Sequence, residues 1–219
     1  MTDAFCDLVM PVFQEVIDLQ DHLAWGEKPS LEEVMERTRG WVEAAEQRAV
    51  VNADLSADFA MAKFGLVAWI DEVLTDSDWG RSVGWGSEDH VLEWYLYNSR
   101  IRAKKFFDEA ALAEREAEAG GSIDPLETYL LCVTLGFRGV LAYDEPGLSE
   151  WLERVYRRVS EASPVASRPF EEGEAPRAGL GPLSGPSMLV RVSVLAAITA
   201  FLTLAAFLES VHLAYYALE

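Results

Sequence analysis

The stretch LVAWIDEVLTDSDWGRSVGW, from Leu66 to Trp85, contains an apolar helical run, two adjacent acids and two tryptophans in a polar segment. Asp71 falls on the same helical stripe as its apolar neighbours at i−4 and i+3, so the pattern predicts a carboxylate on a buried face. Such a carboxylate needs hydrogen-bond donors, because an unpaired charge is costly to bury. We therefore expect backbone N–H groups of residues 76–87, or Arg81, to bind Asp71 and fix that loop.

The residues around Asp71 leave two readings open. Glu72 is rotated about 100° around the helix axis, off the apolar stripe, and is either solvated or free to face a cleft and meet a basic partner. The same rotation argues against a two-carboxylate catalytic pair, since adjacent helical side chains do not converge on one bond. Trp79 and Trp85 either stack a ligand ring or, as aromatics after a helix more often do, anchor the core.

Composition limits the class of protein. The chain has 219 residues, half of them hydrophobic, which predicts a folded chain with a sizeable core. Acidic residues outnumber basic ones by 37 to 18, and a net charge of −19 repels phosphate backbones, so we predict no nucleic-acid partner. With two cysteines and no CxxC spacing, neither a disulfide framework nor a zinc site is indicated. The N-terminal segment lacks the basic and apolar regions of a signal peptide.

The C-terminal part has a different character. From Val192 to Leu208 there are 17 uncharged, mostly apolar residues, and as a helix they would span roughly 26 Å of a hydrocarbon core about 30 Å thick. We predict a transmembrane helix at residues 188–211; a buried core helix of a soluble binding module is the alternative. Arginines precede this segment and no Lys or Arg follows it, so the positive-inside rule places the N-terminal part in the cytoplasm and a short tail, residues 212–219, across the membrane.

The remaining chain divides into a linker and a helical domain. Residues 163–187 hold five prolines and four glycines, the composition of a flexible linker. Residues 1–162 show helical periodicity with few strand signals, which predicts an all-α domain. The predicted helices are 3–24, 31–51, 57–75, 88–98, 102–119, 125–137 and 148–162. Ser30 with Glu33, and Asp124 with Glu127, have capping-box spacing and mark two helix starts.

The sequence contains none of the compact motifs of common catalytic or nucleotide-binding sites, and we predict no catalytic residue, no cofactor and no metal site. Its three histidines are scattered, and Cys132 lies among apolar residues, where a buried thiol is ordinary. An alternative of another class is a tail-anchored hydrolase that combines Asp71 or Glu72 with His90. It requires a deep cleft in which His90 reaches either acid.

Five ordered elements between residues 59 and 139 resemble the TssL/DotU (IcmH) family of secretion-system inner-membrane proteins. In chain order they are FAMAKFGLVAWIDEVL (59–74), WG (79–80), Trp85, KFF (105–107) and LETYLLCVTLGFRG (126–139). The last is similar to the family's LE-x-Y-x-x-C-x-x-x-GF-x-G signature. Each element alone is weakly specific, whereas their order in an acidic helical chain with a C-terminal span is fairly specific.

The resemblance implies a cytoplasmic head of two packed helical bundles shaped like a hook, tail-anchored in a bacterial inner membrane with a periplasmic C-terminus. It implies a non-enzymatic scaffold. In type VI secretion such proteins join a TssM/IcmF-like inner-membrane protein and receive TssK- and TssE-like baseplate proteins. The alternative is a type IVB counterpart that stabilises an IcmF-like protein. Small residues in the span would also allow self-association through it.

The resemblance also implies roles for particular residues. Asp71, Glu72, Trp79 and Trp85 would line a cleft between the bundles where partners dock. The other motif residues would shape the helical framework and a tight helix exit: Phe106, Phe107, Glu127, Tyr129, Gly136, Phe137 and Gly139.

Overall fold

The computed structural model describes residues 1–87 and 90–162, and these form an all-helical domain. The helices are α1 (Asp3–Ala24), α2 (Leu31–Ala49), α3 (Ala53–Asp76), α4 (Asp78–Val83), α5 (Leu92–Tyr97), α6 (Arg102–Glu118), α7 (Asp124–Thr134) and α8 (Glu145–Ala162), with a short 3-10 helix at Gly139–Leu141. No strand occurs within these ranges, so the predicted all-α class is confirmed for them.

The predicted linker (163–187), transmembrane helix (188–211) and tail (212–219) lie outside the described residues. Within the described residues, no helix combines the length and apolar character that crossing a membrane requires.

Helix α3 is the centre of the fold. It is apolar around most of its circumference, and a helix of that kind is buried on all sides. It packs against α1, α2, α4, α5, α6 and α7. Near its middle, the ring of Trp69 lies 4.9 Å from that of Phe13 in α1. The Trp69 indole N–H donates to the carbonyl of Leu135 at 3.2 Å, so this one side chain joins α1, α3 and the end of α7.

Side-chain caps set the starts of two helices. Ser30 accepts a hydrogen bond from the N–H of Glu33 at 3.1 Å, which confirms the predicted start of α2. The start of α3 is at Ala53 rather than the predicted residue 57. Asn52 is the reason, because its side-chain oxygen accepts the N–H of Asp54 at 2.9 Å.

The segment after α3 is more helical than predicted. Helix α4 was missed because it is only six residues long and contains a glycine. Its caps are nevertheless present in the sequence: the hydroxyl of Ser77 accepts the N–H of Gly80 at 2.8 Å, and Gly84 ends the helix at a φ of 78°. Helix α7 ends at Thr134 rather than at residue 137, because Gly136 adopts a φ of 114°.

The predicted capping box at Asp124 and Glu127 is wrong. Asp124 is already helical, and its carboxylate accepts hydrogen bonds from the N–H of Thr2 at 2.9 Å and from the Thr2 hydroxyl. Glu127 binds the amine of Met1. Both acids therefore attach the start of α1 to α7 rather than cap the helix in which they lie.

Candidate functional site

Asp71 is completely buried, as its place on the apolar stripe predicted. Its two carboxylate oxygens accept the N–H groups of Leu92 and Glu93, each at 2.7 Å. The predicted donors were wrong: Arg81 instead binds Asp78 at 2.6 Å. Asp71 meets the first turn of α5, where backbone N–H groups lack helical partners and carry partial positive charge.

Burial raises the pKa of Asp71 to about 6, because the surrounding protein solvates a carboxylate less well than water does. The two backbone hydrogen bonds and the charge of Arg102 act in the opposite direction and favour the ionised form. At neutral pH the group is therefore mostly ionised and holds the start of α5 through two charge-assisted hydrogen bonds.

This carboxyl makes the stability of the fold depend on pH. The ordinary pKa of 3.8 applies to the unfolded chain, and the folded value is about 6, so folding takes up a proton between these two values. The stability that this proton uptake gives the fold is largest below the unfolded pKa and is lost as pH rises through the folded pKa. We expect the difference in free energy of unfolding, wild type minus Asp71→Asn, to fall by about 1 kcal/mol from about pH 5 to about pH 7. Urea unfolding at both pH values measures it, and a difference that rises with pH would contradict the assignment.

Glu93 is a second buried carboxylate, and sequence reasoning missed it. It is fully buried and accepts the hydroxyl of Ser99 at 2.8 Å and the N–H of Ile101 at 2.9 Å. The N–H of Arg102 donates to its other oxygen at 3.3 Å. Asp71 and Glu93 thus form a relay of carboxylate-to-backbone contacts from α3 through α5 to the start of α6.

Glu72 is half-buried and is bonded within the chain. Its Oε1 accepts the N–H of Arg138 at 2.5 Å and the N–H of Gly139 at 3.0 Å. Of the two readings left open by the sequence, simple solvation is therefore wrong. The side chain holds the turn that follows α7, and its docking role stays a prediction.

The aromatic residues of the family-like elements lie together beside that turn. The ring of Phe106 stacks on Phe137 with centroids 3.8 Å apart and meets the edge of Tyr129 at 4.9 Å. Phe107 packs edge-on against Trp151 of α8 at 5.5 Å. The Tyr129 hydroxyl donates to a backbone carbonyl of α3 at 3.0 Å. These contacts join α3, α6, α7 and α8 beside the end of α7, where Gly136 and Gly139 turn the chain.

Gly139 is the tightest point of this exit. Its φ is +51°, and an added Cβ would lie 2.6 Å from the carbonyl oxygen of Ala103 and 2.9 Å from the ring of Phe137. Gly84 also has positive φ, +78°, but a Cβ there would meet only Ser87 Oγ, at 3.6 Å. Left-handed strain of about 1 kcal/mol applies to both alanine variants, whereas overpacking of about 1–3 kcal/mol applies to Gly139→Ala alone. Denaturant unfolding should therefore show the larger loss for Gly139→Ala, and equal losses would contradict the close packing.

A cavity of about 610 Å³ opens between the last turns of α1, the α3–α4 junction and the end of α7. We call it the acidic cleft, because three exposed aspartates stand on its walls beside apolar side chains. Its lining residues are Ile17, Gln20, Asp21, Leu23, Ala24, Val73, Asp76, Ser77, Asp78, Trp79, Leu135 and Gly136.

The predicted cleft residues contribute to this cavity unequally. Trp79 lines it, and its indole N–H donates to the carbonyl of Pro29 at 3.1 Å. Trp85 is only 3 % exposed and packs behind Trp79 with ring centroids 5.8 Å apart. Asp71, which is 0 % exposed, presents no surface to a partner. Neither Asp71 nor Glu72 is among the residues that line this cavity.

Sequence reasoning missed the three aspartates of the cleft. Asp76 and Asp78 lie within the stretch 66–85 but show no periodic signal, and Asp21 lies on a different helix. Only their acidic character within an acidic chain pointed to them, and that is shared by many other residues.

The described residues do not assemble the hydrolase site. His90 is exposed and its Nδ1 lies 3.0 Å from the hydroxyl of Ser87, whereas Asp71 and Glu72 bind backbone N–H groups elsewhere. Burial raises the pKa of the Cys132 thiol well above its ordinary value, so the reactive thiolate is disfavoured. In the described ranges no three His, Cys, Asp or Glu side chains are grouped to hold a metal ion.

Comparison with known proteins gives one family and one solved fold. Residues 4–213 match the family model described as "Type VI secretion system protein DotU". The solved cytoplasmic domain of TssL from Acinetobacter baumannii is similar, with a TM-score of 0.58 and 21 % identity over 73 % of this chain and 98 % of that chain. At that identity the likeness shows the fold alone. No curated protein matches the chain.

Proposed function

Because the chain belongs to the DotU family of type VI secretion system proteins, we propose that it is a non-enzymatic inner-membrane scaffold that docks baseplate components onto its helical head. In this proposal the head, residues 1–162, is cytoplasmic, and a C-terminal helix at residues 188–211 anchors it. The arginines before that segment, with no Lys or Arg after it, support this orientation.

The observation that carries the docking proposal is the acidic cleft. Asp21, Asp76 and Asp78 line one cavity, in which Arg81 pairs with Asp78, and Ile17 and Leu135 supply apolar surface. Exposed carboxylates around an apolar depression suit a basic, partly apolar protein surface, because charge speeds encounter while buried apolar contacts slow dissociation. The net charge of −19 adds long-range attraction for such a partner.

In this proposal the Asp-Glu pair acts by positioning. Asp71 holds the start of α5 and Glu72 holds the turn after α7, next to Gly136 on the cleft wall. Trp85 supports Trp79 from behind. Substituting these residues would therefore weaken docking by changing the shape of the cleft rather than by removing a direct contact.

The proposed partners are those that the family resemblance implies. TssK- and TssE-like baseplate proteins would occupy the cleft, and a TssM/IcmF-like protein would share the membrane. Two bundles arranged as a hook would form the walls of the docking surface, and the small residues of the anchor would allow self-association. The family description names type VI secretion, which favours this system over the type IVB alternative.

Salt dependence of binding tests the proposal. The purified full-length chain, in nanodiscs of uncharged lipid, is titrated with the TssK-like protein of the same secretion system, and Kd is measured at low and high salt. Because charged groups around the cleft attract the partner, we expect Kd to rise by about tenfold or more at high salt. Absence of binding, or binding that salt does not change, would contradict docking at an acidic surface.

A further inference from the structure

A second hollow, of about 470 Å³, lies between α7 and α8 and shares no lining residue with the acidic cleft. Leucines from both helices form its floor, and Tyr156 stands at its edge with 57 % of its surface exposed. The α8 wall carries the exposed carboxylate of Glu153, whereas Glu127 on the α7 wall is half-buried and already paired with the amine of Met1. We call this hollow the α7–α8 groove.

The groove is built from two helical stripes. On α7, Glu127, Leu130, Leu131 and Thr134 are spaced i, i+3, i+4 and i+7, so they share one face of the helix. On α8, Leu152, Tyr156 and Val159 have the same kind of spacing. Other side chains of the two helices, such as Cys132 and Val155, are buried in the core. Val159 is buried, whereas the three leucines of these stripes are half-buried and Tyr156 is exposed, so the two stripes form a trough along the helix axes.

We propose that the α7–α8 groove binds a basic amphipathic helix of a partner protein. A trough with apolar walls accepts an apolar helical row with anchors at i, i+3, i+4 and i+7. An exposed tyrosine at the edge of an apolar pocket is a typical hot-spot residue. The exposed carboxylate of Glu153 then lies where a lysine or arginine on the flank of that helix would pair with it.

Charge decides between this occupant and a second copy of the chain. A second copy carries the same net charge of −19. A symmetric contact would also bring Glu153 of both copies toward one interface, and like charges there are unfavourable. A basic helix is instead attracted by the negative charge of the chain. This site is separate from the acidic cleft, so its occupancy goes beyond the docking function proposed above.

A designed peptide pair tests the proposal. One peptide has leucines at i, i+3, i+4 and i+7 with lysines on the flanks, and the other has glutamates in place of the lysines. Fluorescence anisotropy with the full-length chain in nanodiscs of uncharged lipid should show at least about tenfold tighter binding of the lysine peptide. Glu153→Lys should weaken the lysine peptide by about tenfold and strengthen the glutamate peptide. Glu36→Lys makes the same charge change at an exposed position of α2 and should change Kd by no more than about twofold.

A second matched pair separates apolar contact from charge. Tyr156→Ala should weaken the lysine peptide by about tenfold. Tyr143→Ala, at a fully exposed tyrosine outside the groove, should leave Kd unchanged. The proposal fails if the lysine peptide does not bind, or if both variants of either pair act alike. It also fails if sedimentation shows a dimer that Tyr156→Ala dissociates, because a second copy would then fill the groove. The cleft titration with the TssK-like protein is independent of every one of these outcomes.

Discussion

Replacing Asp71 with leucine should lower the free energy of unfolding by about 3 kcal/mol and release the start of α5. The carboxylate is the acceptor for the N–H groups of Leu92 and Glu93, and each buried donor left without an acceptor costs about 1–3 kcal/mol. Removing the buried charge offsets part of this loss. Denaturant unfolding measures the total, and hydrogen exchange at the amides of Leu92 and Glu93 locates it.

Asp108→Leu is the matched control, because Asp108 is exposed on α6 and surface substitutions usually change stability by less than about 0.5 kcal/mol. Its exchange pattern at α5 should match the wild type. If the two leucine variants lost similar stability, or if exchange at α5 did not change in Asp71→Leu, the anchoring role of Asp71 would be wrong.

Reversing two charges of the acidic cleft should weaken partner binding by about 30-fold or more, which corresponds to about 2 kcal/mol. In the variant Asp21→Lys with Asp76→Lys, two attractive contacts of the cleft become repulsive. Both residues are exposed and lie in the last turns of α1 and α3, where a positive charge is favourable to the helix dipole. The fold should therefore be retained, which circular dichroism checks. Titration with the TssK-like protein measures Kd.

The control variant carries the same change in net charge at another place. Asp108→Lys with Glu116→Lys alters two exposed residues of α6 that do not line the cleft. Its effect on Kd should be no more than about threefold, through the long-range field. Equal weakening by both double variants would show that net charge alone attracts the partner and that the cleft has no specific role.

Long helices with clear periodicity and local caps were predictable from the sequence. Helix α1 has the predicted bounds, and Ser30 caps α2 as its spacing indicated. The short helix α4 escaped because six residues give too little periodicity, although Ser77 and Gly84 mark its ends. Asp124 misled the prediction, because its acceptor oxygens serve Thr2, which lies 122 residues away in the chain.

The candidate site was predictable only where one helix sufficed. The burial of Asp71 follows from the periodicity of α3 alone. Its donors do not, because Leu92 lies 21 residues further along the chain, beyond α4. The partner of Glu72 is 66 residues away. The acidic cleft and the α7–α8 groove each need two or more helices to be packed before their residues share a wall, and no local pattern encodes that packing.

Site-specific crosslinking in cells tests most directly whether the head binds baseplate proteins through the acidic cleft. A photoactivatable amino acid replaces Gln20, which lines the cleft, or Gln47, which is exposed on α2 outside it. In bacteria with an assembled type VI apparatus, the probe at position 20 should give a covalent adduct with a TssK- or TssE-like protein, and the probe at position 47 should not. Adducts with these proteins at position 47 alone, or at neither position, would contradict the docking role of the cleft.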